Sequence, residues 1–334
     1  MPDDGSYVLV TTAYLQPGDE VDQLLRGAGL RPVFARPDDR RAAGRSLRAA
    51  VADTAPAGVV AGTDAFTAEV LEASPGLRVI GRCGAGYDNV DVAAATRRGI
   101  AVTHTPGVNR QSVAEYVLGL LVGCARGIPR SVADVRAGGW SQPSGRELAG
   151  ATLGVVGLGA IGRTVARLGL ALGMRVVGHD PRPDAGFLAE TEVEALPLGA
   201  VLAEADFVTL HLALDASTRH LIDGAALRLM RPGAYLVNTA RGGVVDEEAL
   251  ADAIASGRLA GAALDVTEHE PLPPDSRLRA FDNVLVTGHI AGATVQARAR
   301  SGRSAAEQVV AVLSGRAPEH VVNPGWAAVR AGVR

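Results

Sequence analysis

Cysteine is nearly absent. The 334 residues contain two, Cys83 and Cys124, far apart and in no metal-ligand spacing. No disulfide framework and no metal site are implied, and a reduced, cytoplasmic compartment is the expected setting. Neither sign of charge is in excess: 33 basic and 36 acidic residues leave a formal net charge of −3. Nothing in that balance marks a nucleic-acid or anionic-membrane surface, and neither is expected as a partner. No apolar run approaches the roughly 20 residues that span a bilayer. The first residues, Met-Pro-Asp-Asp-Gly, lack the basic and apolar regions of a secretion signal. Internal repeats are missing, and the only compositional bias is toward alanine. What remains is a chain of 47% hydrophobic and 21% charged residues, too long for one ordinary core. Two domains are expected.

The chain is organised around residues 152–180. Leu153, Val155 and Val156 read as a buried parallel strand, and Gly157, Gly159 and Gly162 follow at once. The first glycine suits a tight turn, the second lets backbone approach a pyrophosphate, and the third lets the next helix pack on the sheet. That helix is expected over residues 160–172, its free N–H groups and positive dipole end facing the phosphates. A second strand over residues 175–178 leads to Asp180, whose carboxylate suits a ribose diol and repels a 2′-phosphate. NAD is therefore expected in preference to NADP. Strand, glycines, helix, strand and terminal acid occur in order, which separates the pattern from a chance run of turn glycines.

Elsewhere, short β-like runs alternate with helical patterns. Strands are expected at residues 7–11, 32–34, 58–61, 77–80 and 100–104, then at 207–211, 234–238, 261–265 and 284–287. Six strands thus follow residue 150, enough for both mononucleotide-binding halves. Between residues 112 and 136 Val113, Tyr116, Val117, Leu120 and Leu121 recur at helical spacing, followed by a loop to residue 150. This arm suits either a subunit contact or intramolecular packing. A helix over residues 294–314 is expected to return to the first domain.

Three stretches end late strands: residues 238–243, 264–271 and 287–290. Together they offer the Arg241 guanidinium, carboxylates and the His289 imidazole. Hydride transfer to a 2-oxo acid needs those parts. A planar guanidinium holds the carboxylate and polarises the carbonyl, and an imidazole gives the proton. A carboxylate behind the imidazole orients it and favours its protonated form. His269, beside Glu270, is the rival imidazole.

These motifs, with residues 157–162 and 82–90, resemble the D-isomer-specific 2-hydroxyacid dehydrogenases, most of all the phosphoglycerate dehydrogenase group, over about residues 55–325. The resemblance implies an α/β fold of two wound parallel-sheet domains, a Rossmann NAD-binding domain inserted in a smaller flavodoxin-like substrate domain. Residues 1–104 and 295–334 would form the substrate domain. Residues 105–294 would form the NAD domain, including a dimerisation arm at about 110–150, with the site in a cleft between the domains. By resemblance Arg241, Glu270 and His289 are catalytic. Ala160, Ile161, Asp180, Thr239, Ala240, Asp265 and Gly292 contact the cofactor, with Asp265 at the nicotinamide amide. His211 and Leu212 lie beside it, and Gly84, Ala85 and Gly86 receive the substrate carboxylate.

Two departures touch backbone near the cofactor: Gly288 stands where the family has proline, and residues 211–215 read His-Leu-Ala-Leu-Asp. The chain stops near residue 334, so no serine-sensing domain is expected. Arg82 is well placed for a distal anion, but residues 62–64 and 141–143 lack the further arginines of the phosphoglycerate enzymes, for which Arg146 is a substitute. The expected substrate is phosphoglycerate or a similar three-carbon acid with a distal anion such as a phosphonate. A hydroxypyruvate or glyoxylate reductase and a non-catalytic NAD-sensing corepressor are the alternatives. A homodimer is expected.

Overall fold

Alternation of side chains across a strand explains the first sheet, seen in a computed structural model that describes residues 5–332. Strands β1 (Tyr7–Val10), β2 (Arg31–Phe34), β3 (Gly58–Ala61), β4 (Val79–Arg82) and β5 (Ala101–Thr103) pair in parallel in the order β2-β1-β3-β4-β5. Val8, Val10 and Val60 face one way, onto the helices Glu20–Gly27 and Val295–Leu313. Leu9, Val59, Ile80 and Val102 face the other, onto Val51, Leu71 and Ala95. Both faces are covered, as parallel sheets require. Side-chain caps from Asp19, Ser46, Asp91 and Thr294 start four of these helices, each satisfying an otherwise orphaned N–H.

The second sheet holds β6 (Thr152–Val156), β7 (Arg175–His179), β8 (Glu194–Ala195), β9 (Phe207–Leu210), β10 (Tyr235–Asn238), β11 (Gly261–Leu264) and β12 (Val284–Val286). Their order is β12-β11-β10-β9-β6-β7-β8, all parallel. The winding reverses between β6 and β9, and ligands bind parallel sheets beyond the carboxyl ends of the strands at such a reversal. The chain divides into two compact units, Met1–Asn109 with Thr294–Arg334, and Arg110–Ala293.

Three differences from expectation have physical causes. There are seven strands after residue 150, because β8 is a two-residue edge strand too short to show a period. Helices Pro37–Ala42, Ala185–Glu190 and Trp326–Arg330 were not anticipated, each being five or six residues long. The arm is two helices, Arg110–Arg126 and Ile128–Arg136, bent by 65° at Gly127, whose φ is +59°. The stripe of Val113, Val117, Leu120 and Leu121 is buried in the core of the second unit with Leu153 and Val165. It therefore needs no partner. Among the described residues no single helix is long and apolar enough to cross a membrane.

Candidate active site

The fingerprint glycines form a tight cradle. Gly157 turns out of β6 at φ +95°, and Gly159 caps the helix Ala160–Ala171. A Cβ on Gly162 would overlap the Gly157 carbonyl oxygen, so only glycine lets the helix start here. Around Gly159 and the exposed Ala160 there is open space, and partly buried Ile161 follows on the helix. Asp180 follows β7, and its carboxylate oxygens accept from Leu158 N–H at 2.9 Å and Arg182 N–H at 2.8 Å. Each oxygen keeps a lone pair for a further donor.

His211 and Leu212, after β9, back the Gly157 turn. Burial pushes the His211 imidazole down to about 3, so the ring is neutral. Its Nε2 lies 3.0 Å from Thr209 Oγ1, while Nδ1 is buried without a partner, as is Thr239 Oγ1 after β10. Buried polar atoms are nearly always bonded. Two orphans beside a glycine cradle, a helix N-terminus and a poised carboxylate fit a dinucleotide.

At the ends of β10, β11 and β12 the three reactive side chains are presented. Buried Asn238 shapes the turn that carries Arg241: its Nδ2 donates to Arg241 O at 2.9 Å, and its Oδ1 accepts from Ala240 N–H at 3.0 Å. His289 Nδ1 lies 2.9 Å from Glu270 Oε2, the ring and the carboxylate both remaining well exposed. Burial would raise the Glu270 pKa, but the hydrogen bond and charge of His289, the Thr267 N–H and nearby Arg241 prevail, and the carboxyl sits below its ordinary value. His269 accepts through its backbone carbonyl from Thr267 Oγ1 at 2.8 Å.

Asp265 is buried at the end of β11. It is 1% exposed, and its carboxylate accepts from Thr287 Oγ1 at 2.6 Å, Ile290 N–H at 2.9 Å and Ala291 N–H at 2.7 Å. Its carbonyl takes the His289 N–H at 2.8 Å. Three of its four carboxylate lone pairs are thereby spent on the loop carrying His289, and one remains for a further donor. That loop holds His289 at φ +57°, a left-handed backbone rare for a side chain of this size. Gly292 lies in the turn closed by Ala293 N–H to Ile290 O at 2.8 Å.

In the first unit, the loop after β4 is held by its own polar contacts. Arg82 is only 8% exposed. Its Nε donates to Asn89 Oδ1 at 3.0 Å and its Nη1 to Cys83 O, so the guanidinium lies under the loop. Gly84 N–H is taken by Thr105 Oγ1 at 2.8 Å. His104 Nδ1 sits 2.8 Å from Ala85 O. Because a trans peptide points N–H opposite to C=O, the Gly86 N–H is turned away from His104.

The sequence model for "D-isomer specific 2-hydroxyacid dehydrogenase, NAD binding domain" matches residues 118–291. The chain belongs to that family. It is 43% identical to the glyoxylate reductase of Thermofilum pendens over 270 residues, 78% of this chain and 79% of that protein. It is also 43% identical to the D-3-phosphoglycerate dehydrogenase of Methanocaldococcus jannaschii over 260 residues, 77% of this chain and 49% of that one. The crystal structure of D-lactate dehydrogenase from Aquifex aeolicus with NAD and lactic acid superimposes with a TM-score of 0.80 at 29% identity, covering 92% of this chain and 96% of the other.

This dehydrogenase is accordingly a nicotinamide-dependent oxidoreductase acting on a small 2-hydroxy or 2-oxo acid. Two of its site features were not legible in the sequence. Arg40, on the unanticipated helix Pro37–Ala42, forms a largely buried ion pair with Asp64 and donates to Ala35 O at 2.6 Å. Asn89 Nδ2 donates to Asp64 O at 2.6 Å, which links that pair to Arg82. Only the polar residues clustered after β3 and β4 hinted at such a network.

Proposed function

We propose that this dehydrogenase reduces a short 2-oxo acid to the D-2-hydroxy acid with NADH, using Arg241, Glu270 and His289. The observation that carries the reading is the 2.9 Å contact between His289 Nδ1 and Glu270, formed next to Arg241. When bound, the nicotinamide exchanges a hydride with C2 of the substrate. Arg241 grips the substrate carboxylate and carbonyl oxygen in one plane. With Nδ1 held by Glu270, Nε2 of His289 gives its proton to the carbonyl oxygen as negative charge develops there. In the reverse direction it takes the proton from the hydroxyl. Glu270, its pKa lowered, is ionised through the neutral range and fixes the ring by charge and hydrogen bond. Asp180 favours NAD by receiving the adenosine ribose hydroxyls.

Glyoxylate or hydroxypyruvate is the substrate class this reading favours, because Arg82 lies under its loop and the carboxylate of Asp64 stands nearby. A second reading, a three-carbon acid with a distal phosphate or phosphonate, is favoured by the likeness to the M. jannaschii enzyme. Relative kcat/KM for glyoxylate, hydroxypyruvate and phosphohydroxypyruvate separates them, and a preference for the last of at least tenfold would overturn the first reading. The acid/base roles are tested by reductive kcat. Glu270 holds the His289 ring through Nδ1 at 2.9 Å, so Glu270→Gln should lower kcat about ten- to hundredfold with KM little changed. An unchanged kcat would remove Glu270 from that role.

A further inference from the structure

Arg241 and Glu270 stand at the ends of different strands, β10 and β11, yet the chemistry needs them at a fixed separation. Three sets of contacts join their loops. Gly242 packs so closely that a Cβ there would overlap the backbone of Thr267 and Glu268. Glu268 N–H donates to Glu247 Oε1 at 2.6 Å, and Glu247 N–H returns a bond to Glu268 Oε1 at 3.3 Å. His220, from the segment after β9, touches both loops at once. Its N–H donates to Gly243 O at 2.8 Å, and its Nε2 lies 3.2 Å from Glu268 Oε1.

Two further observations single out His220. Its backbone is left-handed at φ +50°, a strained conformation that persists only where the surroundings impose it. Its Nε2 is buried and makes no aligned hydrogen bond, so its closeness to Glu268 is an electrostatic contact. Burial raises the pKa of Glu247; the Glu268 N–H and the nearby His269 work against that rise, and the charges of Glu268 and Glu248 add to it.

We propose that His220, with the reciprocal pair Glu247 and Glu268, is a latch that sets the separation of Arg241 and Glu270. Through Glu270 it sets the orientation of the His289 ring. His220 is a positioning residue and touches none of the reacting side chains. The inference rests on the catalytic reading of Arg241, Glu270 and His289.

His220→Gly tests it, because glycine suits the left-handed backbone and removes only the imidazole. Reductive kcat should fall about ten- to hundredfold with KM little changed, as in Glu270→Gln, the usual effect of small misplacement. NADH affinity, read by fluorescence titration, should stay at the wild-type value. The double variant His220→Gly with Glu268→Gln should lose less than the product of the single losses. A wild-type kcat in His220→Gly while Glu270→Gln lowers it, or losses that multiply independently, would overturn the latch alone. An unchanged kcat in Glu270→Gln would instead overturn the catalytic reading.

Discussion

At the scale of single residues, the same side-chain type does different work according to its partners. Asp180 and Asp265 both end strands of the second sheet, yet one keeps a lone pair on each oxygen and the other spends three of four on its own chain. In the proposed reading Asp180 sets cofactor choice. Asp180→Ser should narrow the ratio of kcat/KM for NADH over NADPH, and a wild type that uses both equally would refute this role. Arg82 is 8% exposed and donates to its own loop, and in the proposed reading it supports that loop. Arg82→Ala should lower kcat/KM for glyoxylate and for phosphohydroxypyruvate to a similar degree. A loss confined to the phosphorylated substrate would show instead that Arg82 binds the distal anion.

Among elements, the loop from β12 to the helix Val295–Leu313 is the part most dependent on one anchor. Asp265→Ala would leave two amides and a hydroxyl unpaired in a site that is nearly closed to water. Each lost partner costs about 1 to 3 kcal/mol, so melting should shift down by several degrees and kcat should fall. Asp265→Asn, which keeps an acceptor, should lose less in both measurements; equal losses would mean that charge alone matters there. The sequence showed this region well where spacing and chemistry coincide. The strand ends at 238, 264 and 287 were legible because short apolar runs stop at polar clusters, and the glycine turn because close packing leaves few alternatives. Helix Pro37–Ala42 was not, since six residues cannot display a helical period, and with it went the Arg40–Asp64 pair. The anchoring role of Asp265 was hidden as well, because its partners lie 22 to 26 residues along the chain.

For the whole molecule, the apolar stripe of the helix Arg110–Arg126 is spent in the core of its unit. The surface left for another copy is the following helix and loop: Ile128, Val132 and Val135 are exposed, and Trp140 is 79% exposed. Burying such side chains is worth about 1.5 to 3 kcal/mol each, and a two-fold contact buries each twice. We propose a homodimer through this surface. Light scattering should give twice the 34.2 kDa chain mass, and Val132→Asp with Trp140→Ala should give the monomer. A wild-type monomer at micromolar concentration would remove the proposal.

The central claim is that the chain turns over a 2-oxo acid and that His289 supplies the proton. Steady-state NADH oxidation with glyoxylate and hydroxypyruvate, run on the wild type beside His289→Gln and His269→Gln, tests it most directly. The account predicts turnover by the wild type, near-wild-type rates in His269→Gln, and a fall in kcat of about two to four decades in His289→Gln. Loss in His269→Gln with retention in His289→Gln would contradict the choice of imidazole, and a wild type that binds NADH but reduces no 2-oxo acid would contradict the enzyme itself.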